Sequence, residues 1–83
     1  MIVISSLVPN GVAHLDGRII PGDRLIFINE VEVDSLSTKL EVIEVLQSLP
    51  KGQVLLGIAK PMFPSSYMYR SYSKETIEEV RFM

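Results

Sequence analysis

The sequence predicts one small α+β domain, because three kinds of signal alternate along it. Short β-branched runs stand between tight-turn residues, one segment has helical period, and apolar residues make up 47% of the 83. A charged fraction of 22% with net charge −2 is the composition of a globular chain rather than a disordered one. The pattern changes near Pro61. Residues 1–61 hold five Lys/Arg against seven Asp/Glu, whereas residues 62–83 open Ser/Tyr-rich and hold three of each. The expected division is a domain over 1–61, then a linker and short charged tail with helix potential over 62–83.

The elements follow in order. Ile2 to Val8 is apolar and β-branched, hence a strand, and Pro9-Asn10-Gly11 turns it. Val12-Ala13-His14-Leu15 has room for a single helical turn before the tight Asp16-Gly17-Arg18 and Pro21-Gly22-Asp23 corners. Arg24 to Ile28 is mostly apolar, which suits a strand covered on both faces, and Asn29-Glu30 leads into a short Val31-Glu32-Val33 strand. Thr38 with Glu41 makes a capping box, and Val42, Val45, Leu46 and Leu49 form the core-facing stripe of a helix that Pro50 and Gly52 stop. Lys39, Ile43 and Leu46 make a second line on the flank of that stripe. Gln53 to Lys60 is a last strand, ended by Pro61. In the tail, Thr76 with Glu79 suggests another capping box beside the apolar pair Ile77 and Val80, in a segment of about ten residues that is too short to be helical alone.

Chemistry is excluded class by class. With no Cys and the lone His14, neither a disulfide framework nor a Cys- or His-rich metal site is available. No cofactor is expected, since neither a G-x-G-x-x-G nor a G-x-x-x-x-G-K loop occurs. Ser6, His14 and Asp16 share the letters of a triad but crowd into turns of one short stretch, and Asp16 and Asp23 read as carboxylates that accept N–H groups of their own turns. Glu30, Glu32, Glu41 and Glu44 read as solvated faces. A mildly acidic chain has no basic stripe for nucleic acid, and no apolar run reaches the ~18 residues of a membrane span. Tyr67, Tyr69, Tyr72, Ser65, Ser66, Ser71 and Ser73 are candidates for modification.

One stretch is far more specific. From Leu7-Val8-Pro9-Asn10-Gly11-Val12-Ala13 through Asp16-Gly17-Arg18, Pro21-Gly22-Asp23 and the apolar strand ending at Asn29, the chain resembles a PDZ domain. The likeness runs on through the Lys39–Leu49 helix and the Gln53–Lys60 strand, and its Asp-Gly-Arg cluster is most similar to the InaD-like multi-PDZ tight-junction scaffolds. Asn29-Glu30 departs from the commoner Asn-Gly of the family.

The resemblance implies a small, partly open barrel capped by one main helix, and a scaffold's protein-interaction module rather than an enzyme. Such domains bind C-terminal peptides of membrane or junction proteins, or other scaffold proteins, by strand addition. The implied setting is cytoplasmic and peripheral, at cell junctions or the apical membrane, in cell polarity. The implied peptide-binding residues are Lys39, Ile43 and Leu46: Lys39 reads the ligand side chain two before its end, with tolerance of an acidic or other hydrogen-bonding group, and the other two line the terminal apolar pocket.

The family's first two strands and the Gly-Leu-Gly-Phe-type carboxylate loop between them would precede Met1. The tail contains no Gly to rebuild the loop. The expectation is therefore an N-terminally truncated, partial PDZ fold with impaired peptide binding, short of stability by several kcal/mol. Its open sheet edge would invite self-association, with Ile77, Val80 and Phe82 pairing between chains as an alternative role. A regulatory piece of a protease is disfavoured by Asp16-Gly17-Arg18, and the C-terminal Val80-Arg81-Phe82-Met83 fits poorly as a PDZ ligand because of Arg81.

Overall fold

Tight turns dictate the first half of the computed structural model, which describes residues 1–36, 38–62 and 68–83. β1 (Ile2–Leu7) ends at a turn in which Asn10 takes φ 62, and α1 (Val12–Asp16) is the single helical turn the sequence predicts, closed by Gly17 at φ 77. β2 (Arg24–Ile28) buries Leu25, Ile26 and Ile28, so it is covered on both faces. β3 is shorter than expected, Val31–Glu32, because Val33 already begins a 3-10 turn over Val33–Ser35. Asn29 sits at φ 51 and bridges forward: its Oδ1 accepts the Leu55 N–H at 2.9 Å, and its own N–H donates to the Leu55 carbonyl at 2.7 Å.

α2 (Lys39–Ser48) starts where the capping residue predicts, with Thr38 Oγ1 accepting the Glu41 N–H at 3.2 Å. Val42 and Leu46 are buried, and Val45 and Leu49 pack partly against the core. β4 (Gln53–Ala59) then pairs antiparallel with β2.

The Pro21-Gly22-Asp23 corner is held by a buried carboxylate. Asp23 is fully buried; its Oδ2 accepts the Ile20 N–H at 3.0 Å and the Lys60 ammonium at 2.5 Å. Lys60 also donates to the Arg18 carbonyl at 2.8 Å, tying the end of β4 to the corner. Removing one partner of so buried a pair strands a charge and costs about 3–5 kcal/mol.

Residues 68–83 join the same sheet. The tail expected to be charged and at most helical carries β5 (Met68–Ser73), α3 (Lys74–Glu78) and β6 (Val80–Phe82). Among the described residues the sheet has the order β5-β4-β2-β1-β6, with β3 paired to β2. β5 runs along β4 from Gln53↔Ser73 to Ile58↔Met68, and β6 runs along β1 from Ile4↔Phe82 to Leu7↔Val80, with a bulge between Ile4 and Ser6. The helical part is one turn, and its cap is Ser73 rather than Thr76: Ser73 Oγ accepts the Thr76 N–H at 3.1 Å.

Tyr72, Ile77 and Val80 of this segment belong to the same buried cluster as Ile4, Leu25, Val42 and Val54. Each such burial is worth about 2 kcal/mol. The docking is specific as well as apolar. Glu79 returns to the body, its carboxylate accepting the Ala13 N–H at 3.1 Å and its carbonyl the Val8 N–H at 3.1 Å. It thereby supplies the cap that Gly11 cannot offer α1, and a Cβ on Gly11 would stand 2.5 Å from that carboxylate. Tyr69 and Phe27 stack at 5.8 Å over Gly57, where a Cβ would meet both rings at 3.2 Å. Of the candidate modification sites, Ser65, Ser66 and Tyr67 lie outside the described residues. Among the described residues no helix is long and apolar enough to cross a membrane.

Candidate functional site

A groove of about 490 Å³ lies between α2 and the segment formed by α3 and β6. One wall is Lys39, Ile43, Leu46 and Gln47; the other is Ile77, Glu78, Val80, Arg81 and Phe82, with Lys74. All three residues expected from the sequence line it. Lys39 is exposed on the first turn of α2, Ile43 is half-buried at its middle, and Leu46 is largely given to the core and shows 8% of its surface. The opposite wall was not legible as such. Ile77 and Val80 stand out in the sequence as the apolar pair of a short tail helix and, with Phe82, as residues for pairing between chains, whereas here they pack within one chain. The usable signal was Ser73 as a cap followed by those three residues, which places them together once Ser73 starts the helix.

β6 is the outer strand at this end of the sheet. Met83 exchanges both backbone bonds with Val3, its N–H donating at 2.9 Å and its carbonyl accepting at 3.5 Å. In an antiparallel ladder the neighbouring residue points its N–H and C=O the other way, so Phe82 presents its pair toward α2. The groove therefore has the two components of strand addition: an outward-facing backbone edge and a helix with an apolar face.

Charge is concentrated here. Three ion pairs are found among the described residues: Arg18 with Asp16, Arg24 with Asp34, and Lys60 with Asp23. The other basic residues are Lys39, Lys51, Arg70, Lys74 and Arg81, and three of these five line the one groove against a single carboxylate, Glu78. Lys74 sits at the C-terminal end of α2, where its ammonium donates to the Gln47 carbonyl at 3.2 Å and to that of Leu49. Arg81 donates to the Glu78 carbonyl at 2.7 Å. A hollow of about 570 Å³ between α1 and β5 is different: its Arg18 is held by Asp16 at 2.8 Å, which keeps the guanidinium pKa above its ordinary value.

The turn at the Lys74 end of the groove has amides engaged inside the chain. The Lys74 N–H donates to the Gly52 carbonyl at 3.0 Å, the Thr76 N–H to Ser73 Oγ, and the Glu79 N–H to the Thr76 carbonyl at 3.1 Å. These three donors are thereby occupied within the chain. No group of three or more metal-ligating side chains occurs among the described residues. The triad letters do not assemble: His14 Nδ1 accepts the Asn10 N–H at 2.9 Å, and Asp16 holds Arg18.

Comparison with known proteins agrees with the motif. The family pattern of a PDZ domain matches residues 1–59. The Multiple PDZ domain protein of Rattus norvegicus is 50% identical over 62 residues, which is 75% of this chain and 3% of that protein. The Patj homolog of Drosophila melanogaster is also 50% identical over 62 residues, 75% of this chain and 7% of its own length. The InaD-like protein of Rattus norvegicus has the same identity and share of this chain, over 3% of its length. The chain thus spans a small part of each relative it matches. No solved structure matches it.

Proposed function

This chain belongs to the PDZ domain family of non-enzymatic protein-interaction modules, and from that premise we propose that its groove takes the C-terminal segment of a partner protein by strand addition between β6 and α2. The observation that carries this reading is the juxtaposition of an outward-facing strand edge, an apolar helix flank and a cation at the C-terminal end of α2. Ile43 and Leu46 with Ile77, Val80 and Phe82 receive the terminal apolar side chain. Lys74 faces the terminal carboxylate, and Lys39 reads a side chain further upstream.

Binding is weak by comparison with a domain that has a free amide nest, because three of the turn's amides already donate to Gly52, Ser73 and Thr76. The partners under this reading are membrane or junction proteins with free C-termini and other scaffold proteins. The setting is cytoplasmic and peripheral to a junctional or apical membrane; a relative named for its multiple PDZ domains supports a scaffold context.

Calorimetric titration of the 83-residue chain with a peptide ending in a free apolar residue tests the proposal. Saturable binding that weakens when the same peptide is amidated at its C-terminus is the expected result. No binding, or equal binding of both forms, overturns it. Self-association remains the second reading, favoured by β5, which forms the other outer edge of the sheet. A dilution-independent monomer mass by light scattering would remove it.

A further inference from the structure

We infer that the groove selects acidic peptides: ligands with Asp or Glu at the second to fourth residues before their terminal one. The inference rests on the peptide-binding reading and adds to it the chemistry of the ligand.

Charge segregation is the first support. The chain as a whole carries −2, yet the groove lining carries three cations against one carboxylate. Elsewhere on the body Arg18, Arg24 and Lys60 are neutralised in ion pairs and only Lys51 and Arg70 are not, whereas all three cations of the groove, Lys39, Lys74 and Arg81, have no carboxylate within ion-pair distance among the described residues. A concave site lined by one sign of charge concentrates the field of that sign and recruits the opposite one.

Geometry assigns the positions. Lys74 and Lys39 mark opposite ends of α2, since Lys74 reaches the Gln47 carbonyl and Lys39 is the first helical residue. Eight residues of helix at ~1.5 Å each separate those ends by about 12 Å. An extended peptide advances ~3.3 Å per residue, so about 12 Å is three to four residues. With its terminal carboxylate at Lys74, a ligand would bring the side chains two to four residues upstream under Lys39.

The helix tolerates the test. Lys39 is exposed at the N-terminal end of α2, where an acidic side chain is favoured by the helix dipole, so Lys39→Glu leaves the fold intact. The experiment is fluorescence polarisation of the 83-residue chain with three peptides sharing one apolar, free C-terminus and carrying Glu, Gln or Lys at the upstream positions. The expected order is Glu tighter than Gln tighter than Lys, by about fivefold per step at low salt. The differences should vanish at about 1 M salt, where the Debye length is ~3 Å. Lys39→Glu should reduce or reverse the order while the melting temperature holds or rises. Equal affinities of the three peptides overturn the inference and leave the peptide-binding reading standing. Failure of all three to bind removes both.

Discussion

Residues 1–59 and residues 68–83 occupy one sheet but are specified in different ways. The first region is set locally: most of its turns carry their own Gly, Asn or Pro, and α2 has a capping residue and an apolar stripe. The second is set at long range. β5 shows no clean alternation, and of its six residues only Tyr72 is buried, so its course is dictated by the six-residue register along β4 and by the rings over Gly57. The contrast teaches that local punctuation fixes a module's topology, while an edge strand can be supplied by chain whose own pattern says little. The structural consequence is direct, because one wall of the groove comes from each region.

The largest way to break the comparison is to cut it. A chain ending at residue 62 loses two strands and the burial of Tyr72, Ile77 and Val80, each worth about 2 kcal/mol. That loss is comparable with the whole stability of a small domain, about 5–15 kcal/mol. The expected outcome is loss of a cooperative thermal transition by circular dichroism. An unchanged melting curve would show that the body stands without the tail.

Gly11→Ala sharpens it. The new methyl displaces the Glu79 carboxylate from the Ala13 N–H, at a cost of about 1–2 kcal/mol in chemical denaturation. In a Glu79→Ala background the same substitution should cost little, since the obstructing carboxylate is gone. Equal costs in both backgrounds would mean that the contact does not hold the tail.

The smallest effect is in pH. Burial pushes the Tyr72 phenol above its ordinary 10.0, opposed by Arg18, whose guanidinium lies 4.8 Å from the ring centre. In the unfolded chain the phenol ionises near 10, while in the folded one it stays neutral, so the unfolded state binds fewer protons there. Stability is therefore complete below pH 10 and falls as pH rises through the raised pKa. Tyr72→Phe should flatten that alkaline decline in a pH series of denaturation midpoints. A decline as steep as in the parent chain would place its origin elsewhere.

How much was legible divides along the same line. The strands at Ile2–Leu7, Arg24–Ile28 and Gln53–Ala59 and the helix from Lys39 followed from turns, caps and period because their causes are near in sequence. Lys39, Ile43 and Leu46 followed from helical spacing and the PDZ likeness. Lys74, Ile77, Val80, Arg81 and Phe82 did not, because what brings them to α2 is pairing of β6 with β1, at more than seventy residues' separation. Glu79 reads as a local capping residue in sequence, yet its carboxylate caps a different helix, and only the fold brings α1 within its reach.

The Met83–Val3 rung sets the two ends of the described chain side by side. Tension applied through those ends would load the hydrogen bonds between β1 and β6 one after another instead of all together, which is the low-force, unzipping geometry. About 3.4 Å of slack is released for every residue peeled away. The first strand to leave is β6, which forms one wall of the groove, so a pull along the polypeptide would open the groove before it disturbs the helix opposite.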